Sequence, residues 1–152
     1  MKQVSNYVLP AGLPIPVPEP DGLSAPFREG LARNELLIQR CGHCRTWQWG
    51  PEWICHQCHS FEIVWERVEP RGVVYAIQRV WHPVHAALEG AGPYLVVLVE
   101  LPAAGNVRIV GNLMGDPMRN IKPGAVVHGV FEHHFDSNPS FSLLQWKVDE
   151  SS

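Results

Sequence analysis

The chain has 152 residues, enough for one domain of ordinary size or two small units sharing a core. At 45% hydrophobic and 18% charged it reads as globular, which excludes disordered and fibrous classes. A formal net charge of −3 gives no basic field for nucleic acid, and no apolar run approaches the roughly 18–20 residues of a membrane span.

Met1-Lys2-Gln3-Val4 leads into no apolar signal region, so the expectation is a cytoplasmic protein. Residues 1–23 hold Pro10, Pro14, Pro16, Pro18 and Pro20. Alternating prolines fix φ and remove backbone donors, which leaves neither helix nor central strand. An extended arm is expected. Its apolar residues Val8, Leu9, Leu13, Ile15 and Val17 suit either a path across its own domain or one onto a partner subunit. Ser24-Ala25-Pro26-Phe27 then reads as a helix start, with Ser24 as N-cap and Pro26 in the first turn. Gly30 weakens that helix, and Asn34 is placed to end it before a strand at Leu36–Arg40.

Two cysteine pairs follow, Cys41-Gly42-His43-Cys44 and Cys55-His56-Gln57-Cys58, with ten residues (Arg45 to Ile54) between them. Each CxxC turn offers two thiolates on one knuckle, and four thiolates complete the tetrahedral shell that Zn²⁺ favours. A shell of four protein ligands has no position for water or substrate, so its expected task is structural. Two disulfides, a redox pair, or iron in a rubredoxin-like shell are the alternatives. His43, His56 and His59 flank the ligand positions and read as exposed knuckle residues, since a Cys₃His site is unnecessary with four thiolates present. Alternating Trp47 and Trp49, the Gly50-Pro51 turn, and a strand from Phe61 to Val68 complete a zinc ribbon over 24–69. Trp47, Trp49 and Trp53, with the leading helix, are expected to present a docking surface.

From residue 70 to 148 the pattern is all β. Strands are read at Gly72–His82, Tyr94–Glu100, Asn106–Leu113, Ala125–Phe135 and Phe141–Val148. A turn of helix is read at Gly115–Ile121, and a tight turn at Lys122-Pro123-Gly124. Five strands with a short helix after the third match a Greek-key OB barrel. The fold class is therefore mainly β: an N-terminal helix and zinc ribbon, then a five-stranded OB-fold barrel, with residues 149–152 as a tail. Six Lys/Arg stand against five Asp/Glu over this stretch, so the barrel is close to neutral.

The 13-residue loop from Trp81 to Pro93 is the candidate functional surface, because long loops in compact domains are often functional or mobile. Trp81, His82 and His85 are its substrate- or partner-binding candidates, against the plainer alternative of solvated histidines; a second metal site there lacks carboxylates. Arg79, Arg108 and Arg119 are candidates for pairing with phosphate groups. His133 and His134 point to opposite faces of one strand and cannot chelate as a pair. No Ser/His/Asp arrangement, phosphate loop or dinucleotide fingerprint is present, and no cysteine lies outside the two pairs, so no catalytic residue is assigned.

Several segments together resemble a known family, domain of unknown function thirty-five. They are Phe27-Arg28-Glu29-Gly30-Leu31, Leu37–Cys44, Gly72-Val73-Val74-Tyr75, Pro93-Tyr94 through Leu98-Val99-Glu100, Gly111–Gly115, and Ile121-Lys122-Pro123-Gly124 with the strand ending Phe131-Glu132. The resemblance covers about residues 24–148; the proline-rich arm and the Trp47/Trp49/Trp53 cluster lie outside it. It implies a rubredoxin-like zinc ribbon joined to an acyl-CoA-associated OB fold. It also implies a non-catalytic partner subunit of thiolases and thiolase-like aldolases, in a heterotetramer, with a coenzyme A thioester shared between the subunits. Degradation of steroid side chains or aromatic compounds is the expected setting. An OB-fold module for single-stranded nucleic acid is the competing expectation, which the near-neutral barrel weakens.

Overall fold

The computed structural model describes residues 8–150; the first seven residues of the arm and the last two of the tail lie outside it. One helix, α1 (Ala25–Ala32), leads into β1 (Leu36–Cys41), β2 (Trp47–Gln48) and β3 (Ile63–Val68), which form an antiparallel sheet in the order β2-β1-β3. Five further strands follow: β4 (Arg71–Val80), β5 (Tyr94–Leu101), β6 (Val107–Leu113), β7 (Val126–His134) and β8 (Phe141–Val148). They close into a barrel in the order β4-β5-β6-β8-β7. That is the OB-type Greek key expected from the strand pattern.

The helix starts and stops where the sequence indicates, but not by side-chain capping. Ser24 occupies the N-cap position, yet its hydroxyl donates to Glu19 Oε2 at 2.5 Å and accepts from Arg28 Nε, instead of bonding a first-turn N–H. Asn34 takes φ 61° just past the last turn. Gly30, unfavourable for an isolated helix, is required by packing. A Cβ there would lie 2.9 Å from the Glu35 carbonyl and 3.0 Å from Leu37 Cγ.

The barrel strands alternate cleanly. Along β5, Leu95, Val97, Val99 and Leu101 are all buried while the intervening residues are only partly covered. The long first barrel strand pairs with β7 at its start (Arg71–Val73) and with β5 beyond it, with a register shift between Val74 and Ala76. A β-bulge of this kind bends a strand, letting β4 serve two neighbours and close the barrel. Closure on the other side is short. Leu113 pairs in parallel with Trp146, and Met114 N–H donates to the Trp146 carbonyl at 2.8 Å.

Helix, ribbon and barrel share one core. Leu31 of α1 and Leu36, Ile38 and Val68 of the ribbon sheet join Val97, Val99, Leu144 and Trp146 in a single apolar cluster. The Gly115–Ile121 stretch, read as a helical turn, is a bend followed by a turn at Pro117–Met118. Asp116 closes that turn locally, its carbonyl accepting from Arg119 N–H at 3.1 Å and its Oδ1 from Met118 N–H at 2.9 Å. The Arg79 guanidinium donates to the Pro117 and Arg119 carbonyls at 2.7 and 3.0 Å, so no helical turn continues from it. The Lys122-Pro123-Gly124 turn is present, with Gly124 at φ 98°.

Gly111 controls the short closure, because a Cβ there would meet Trp146 Cδ1 at 2.8 Å and the Leu144 carbonyl at 3.0 Å. Gly111→Ala is therefore expected to destabilise the barrel by about 1–3 kcal/mol. Val110→Ala next door, on an exposed side chain, should stay within about 0.5 kcal/mol. Urea midpoints of the two variants check this; equal midpoints would show that β6 moves away at no cost.

Candidate metal centre

The two cysteine knuckles are built alike. Arg45 N–H donates to the Cys41 carbonyl and His59 N–H to the Cys55 carbonyl, both at 3.0 Å. Arg45 and His59 each sit at positive φ, 66° and 61°. Cys41 N–H then donates to the Thr46 carbonyl and Cys55 N–H to the Ser60 carbonyl, both at 2.9 Å. Backbone amides also point at sulfur. His43 and Cys44 N–H groups donate to Cys41 Sγ at 3.3 and 3.4 Å, and Gln57 N–H donates to Cys55 Sγ at 3.4 Å.

These turns bring all four Sγ atoms within 4.8 Å of one another, with Cys41–Cys58 and Cys44–Cys55 separations of 3.6 Å. A disulfide requires sulfurs about 2.05 Å apart, so no bond joins them. A tetrahedral ion with metal–sulfur bonds near 2.3 Å requires sulfur–sulfur edges of about 3.8 Å, which the observed spacing matches. The donor set therefore fits a tetrahedral dication held by Cys41, Cys44, Cys55 and Cys58. His43, His56 and His59 are exposed and stand outside the group.

The electrostatics of the four sulfurs are strongly uneven. The Thr46 hydroxyl and N–H stabilise the Cys44 thiolate and bring its pKa down to about 6. At Cys41, burial works against the thiolate, but the Cys44 and His43 amides outweigh it and hold the thiol below its usual range. At Cys58 the Ser60 N–H pulls downward, yet burial and the three neighbouring sulfurs prevail and push it up to about 12. Four sulfurs this close do not all ionise unless a cation sits among them. Uptake of a dication therefore releases protons, and affinity falls as pH falls.

Two buried amides that the sequence reading passed over hold the second knuckle to the first. Gln39 of β1 and Gln48 of β2 are almost fully buried. Gln48 Nε2 donates to Gln39 Oε1 and to the Ile54 carbonyl, and Gln48 Oε1 accepts from His56 N–H. Gln39 clamps Glu52 through both its N–H and its carbonyl. The signal was available: Gln39 and Gln48 sit in strands beside Ile38 and Trp49, where an uncharged polar residue suits burial only with partners. At the surface, Arg45 and Arg40 both pair with Glu66 and hold its carboxyl below the usual range.

The tryptophans correct one expectation. Trp47 and Trp49 are half-buried against the shared core. Trp47 lies against Gly105, where a Cβ would come within 2.9 Å, with Arg40 stacked over its ring; Trp49 meets Phe27 edge-on at 4.7 Å. Both join the ribbon to its own barrel and helix, leaving only Trp53 of the three exposed for docking.

The loop candidates are brought together only in part. Trp81, His82 and His85 are exposed on the same loop, but that loop is anchored: its turn at Ala86–Leu88 buries Leu88, and His85 Nδ1 accepts from Ala87 N–H at 3.1 Å. Arg79 and Arg108 do not converge. Arg79 pairs with Leu95 at one end of the β5 register and Arg108 with Glu100 at the other. Arg108 already pairs with Glu100 Oε2 at 3.0 Å and stacks 3.6 Å over the Tyr75 ring. His133 bridges Ser142 and Asn34 at 2.7 and 2.8 Å, tying the barrel to the end of α1, while His134 stacks on Phe141.

Helix, four-sulfur ribbon and closed five-stranded barrel, fused through one core, define a ribbon–OB-fold protein. Residues 28–64 match the family model for the ChsH2 rubredoxin-like zinc ribbon domain. The solved structure of an Ltp2-ChsH2(DUF35) aldolase aligns over 88% of this chain and 98% of that one, at 30% identity and a TM-score of 0.73. The chain belongs to the DUF35 (ChsH2) family. A DUF35 protein of unknown function from Sulfolobus solfataricus shares the fold, over 84% of this chain and 85% of that one, at 20% identity and a TM-score of 0.58. A curated protein from Thermomonospora curvata, described as a probable enoyl-CoA hydratase alpha subunit, is 39% identical over 101 residues. That match takes in 65% of this chain but spans only 30% of the relative.

Thr46→Val keeps the size of the side chain and removes the hydroxyl beside Cys44. Metal affinity is expected to drop by about 10–100-fold, as outer contacts to metal ligands commonly cost when lost. Competition against a chromophoric zinc chelator measures it, and an unchanged affinity would assign the Cys44 environment to the backbone alone.

Proposed function

We propose that this chain is a non-catalytic, zinc-bearing accessory subunit of a thiolase-like or aldolase enzyme that acts on coenzyme A thioesters. The observation that carries this reading is the alignment, over 88% of this chain and 98% of the other, with a chain of the Ltp2-ChsH2(DUF35) aldolase, together with the ChsH2 zinc ribbon match. The chain's own chemistry agrees. All four cysteines fall in one closed cluster, which leaves no thiol to act as a thiolase nucleophile. Carbon–carbon bond chemistry then belongs to the partner, and steroid side chains or aromatic acids are the substrates this reading favours.

In the proposed assembly, a heterotetramer, the zinc holds the ribbon in the shape the partner docks against. The exposed end of the barrel reaches the partner's site. Trp81, Val84 and Met118 are exposed in the two loops that leave β4 and β6, and Arg79 fastens one loop beside the other. A coenzyme A thioester lies at that shared boundary, with His82 and His85 at its rim.

Co-expression with a thiolase-like protein encoded beside it tests the reading. One mixed species that turns over a coenzyme A thioester is expected. Cys41→Ser should lose zinc and assembly together. Trp81→Ala with Val84→Ser, both exposed side chains, should lower turnover with zinc content intact. A chain that binds no such partner, but binds an oligonucleotide with steep salt dependence, would replace this reading with the nucleic-acid one.

A further inference from the structure

The outer face of β7 and β8 carries a feature that the accessory role does not use. Strand pairing places Glu132 opposite Leu143 and His134 opposite Phe141, and neither Glu132 nor Gln145 points into the barrel core. Outward residues of a small barrel are normally solvated, yet Glu132 is 6% exposed and Gln145 4%. The proline-rich arm covers them. It does not collapse onto the sheet, because Pro10, Pro14 and Pro16 stiffen it, and a cavity of about 530 Å³ remains beneath. That volume lies within the range of about 300–1,000 Å³ usual for small-ligand pockets.

The cavity has apolar walls, Leu13 and Ile15 on the arm with Phe141 and Leu143 on β8, and a polar floor. Glu132 receives Val8 N–H at 3.3 Å and Gln145 Nε2 at 3.3 Å, and stands 3.4 Å from His134 Nε2. All three distances are long for an N–H···O bond, whose usual length is about 2.9–3.0 Å. A carboxylate has about four lone-pair positions, so Glu132 retains capacity for a further donor. Asp136 also lines the cavity, and two carboxyl groups disfavour an anionic guest.

We propose that this cavity is a binding site for an uncharged, ring-sized apolar molecule bearing one hydroxyl, which donates to Glu132. The site belongs to this chain alone and does not depend on the partner reading. It disfavours carboxylates and the phosphates of coenzyme A, which separates it from any thioester site. The arm supplies a rigid wall, so little ordering accompanies binding.

Amide NMR of the full zinc-loaded chain, titrated with 1-naphthol and with 1-naphthoate, tests the proposal. Saturable shifts confined to residues 9–16 and the β7–β8 face are expected for naphthol, with naphthoate weaker by about tenfold or more. Leu143→Trp should fill the cavity and abolish the response with zinc content unchanged. Leu13→Trp fills the same space from the arm and serves where the strand variant fails to fold. No saturable shift, equal binding of naphthoate, or naphthol binding that survives both filled variants would overturn the site.

Discussion

Four sulfurs held within 4.8 Å of one another are the constraint on which the rest of the ribbon depends. Apart from a metal they repel as thiolates, and Cys58 is pushed so high that its proton stays. With a dication among them the repulsion becomes the attraction that closes both knuckles. The local machinery is prepared for that outcome. Positive-φ residues turn each knuckle, amides face the sulfurs, and the Thr46 hydroxyl supports one thiolate in advance. A ribbon sheet with a two-residue strand has too little apolar burial to stand alone, so the ion's binding free energy becomes folding free energy.

What that centre controls lies at a distance from it. Closing the first knuckle fixes β1 against β2, and β2 carries Trp47 onto Gly105 of the barrel. Gln39 and Gln48 pass the same restraint to the second knuckle. The barrel owes less to the metal, because its own strands bury Val97, Val99, Val127, Leu144 and Trp146 around one centre. In the proposed accessory role, a closed metal site joined to such a barrel presents surfaces to the partner.

Legibility in the sequence followed how local each determinant is. The cysteine pairs, the β5 run and the Phe141–Val148 strand were readable because spacing and alternation are set within a few residues. The stretch near Pro117 reads as a helical turn, but it stops at one turn closed on Asp116, and its Pro117 carbonyl goes to Arg79, 38 residues earlier in the chain. Trp47 and Trp49 alternate as an exposed pair would, but the Gly105 approach and the Phe27 ring absorb them. Glu132 and Gln145 carry no local signal of burial in the sequence. Only the placement of an arm more than a hundred residues away makes them the floor of a cavity, and proline spacing predicts the arm's stiffness without its path.

Amide hydrogen exchange of the intact chain, before and after the metal is stripped with a chelator, tests the central claim most directly. The account predicts fast exchange across residues 41–68 and in the 102–106 turn after stripping, while β5 and β8 stay protected. Ribbon amides that remain protected without metal would contradict it. So would loss of protection spread evenly through the barrel, because the metal would then support the whole fold and not the ribbon.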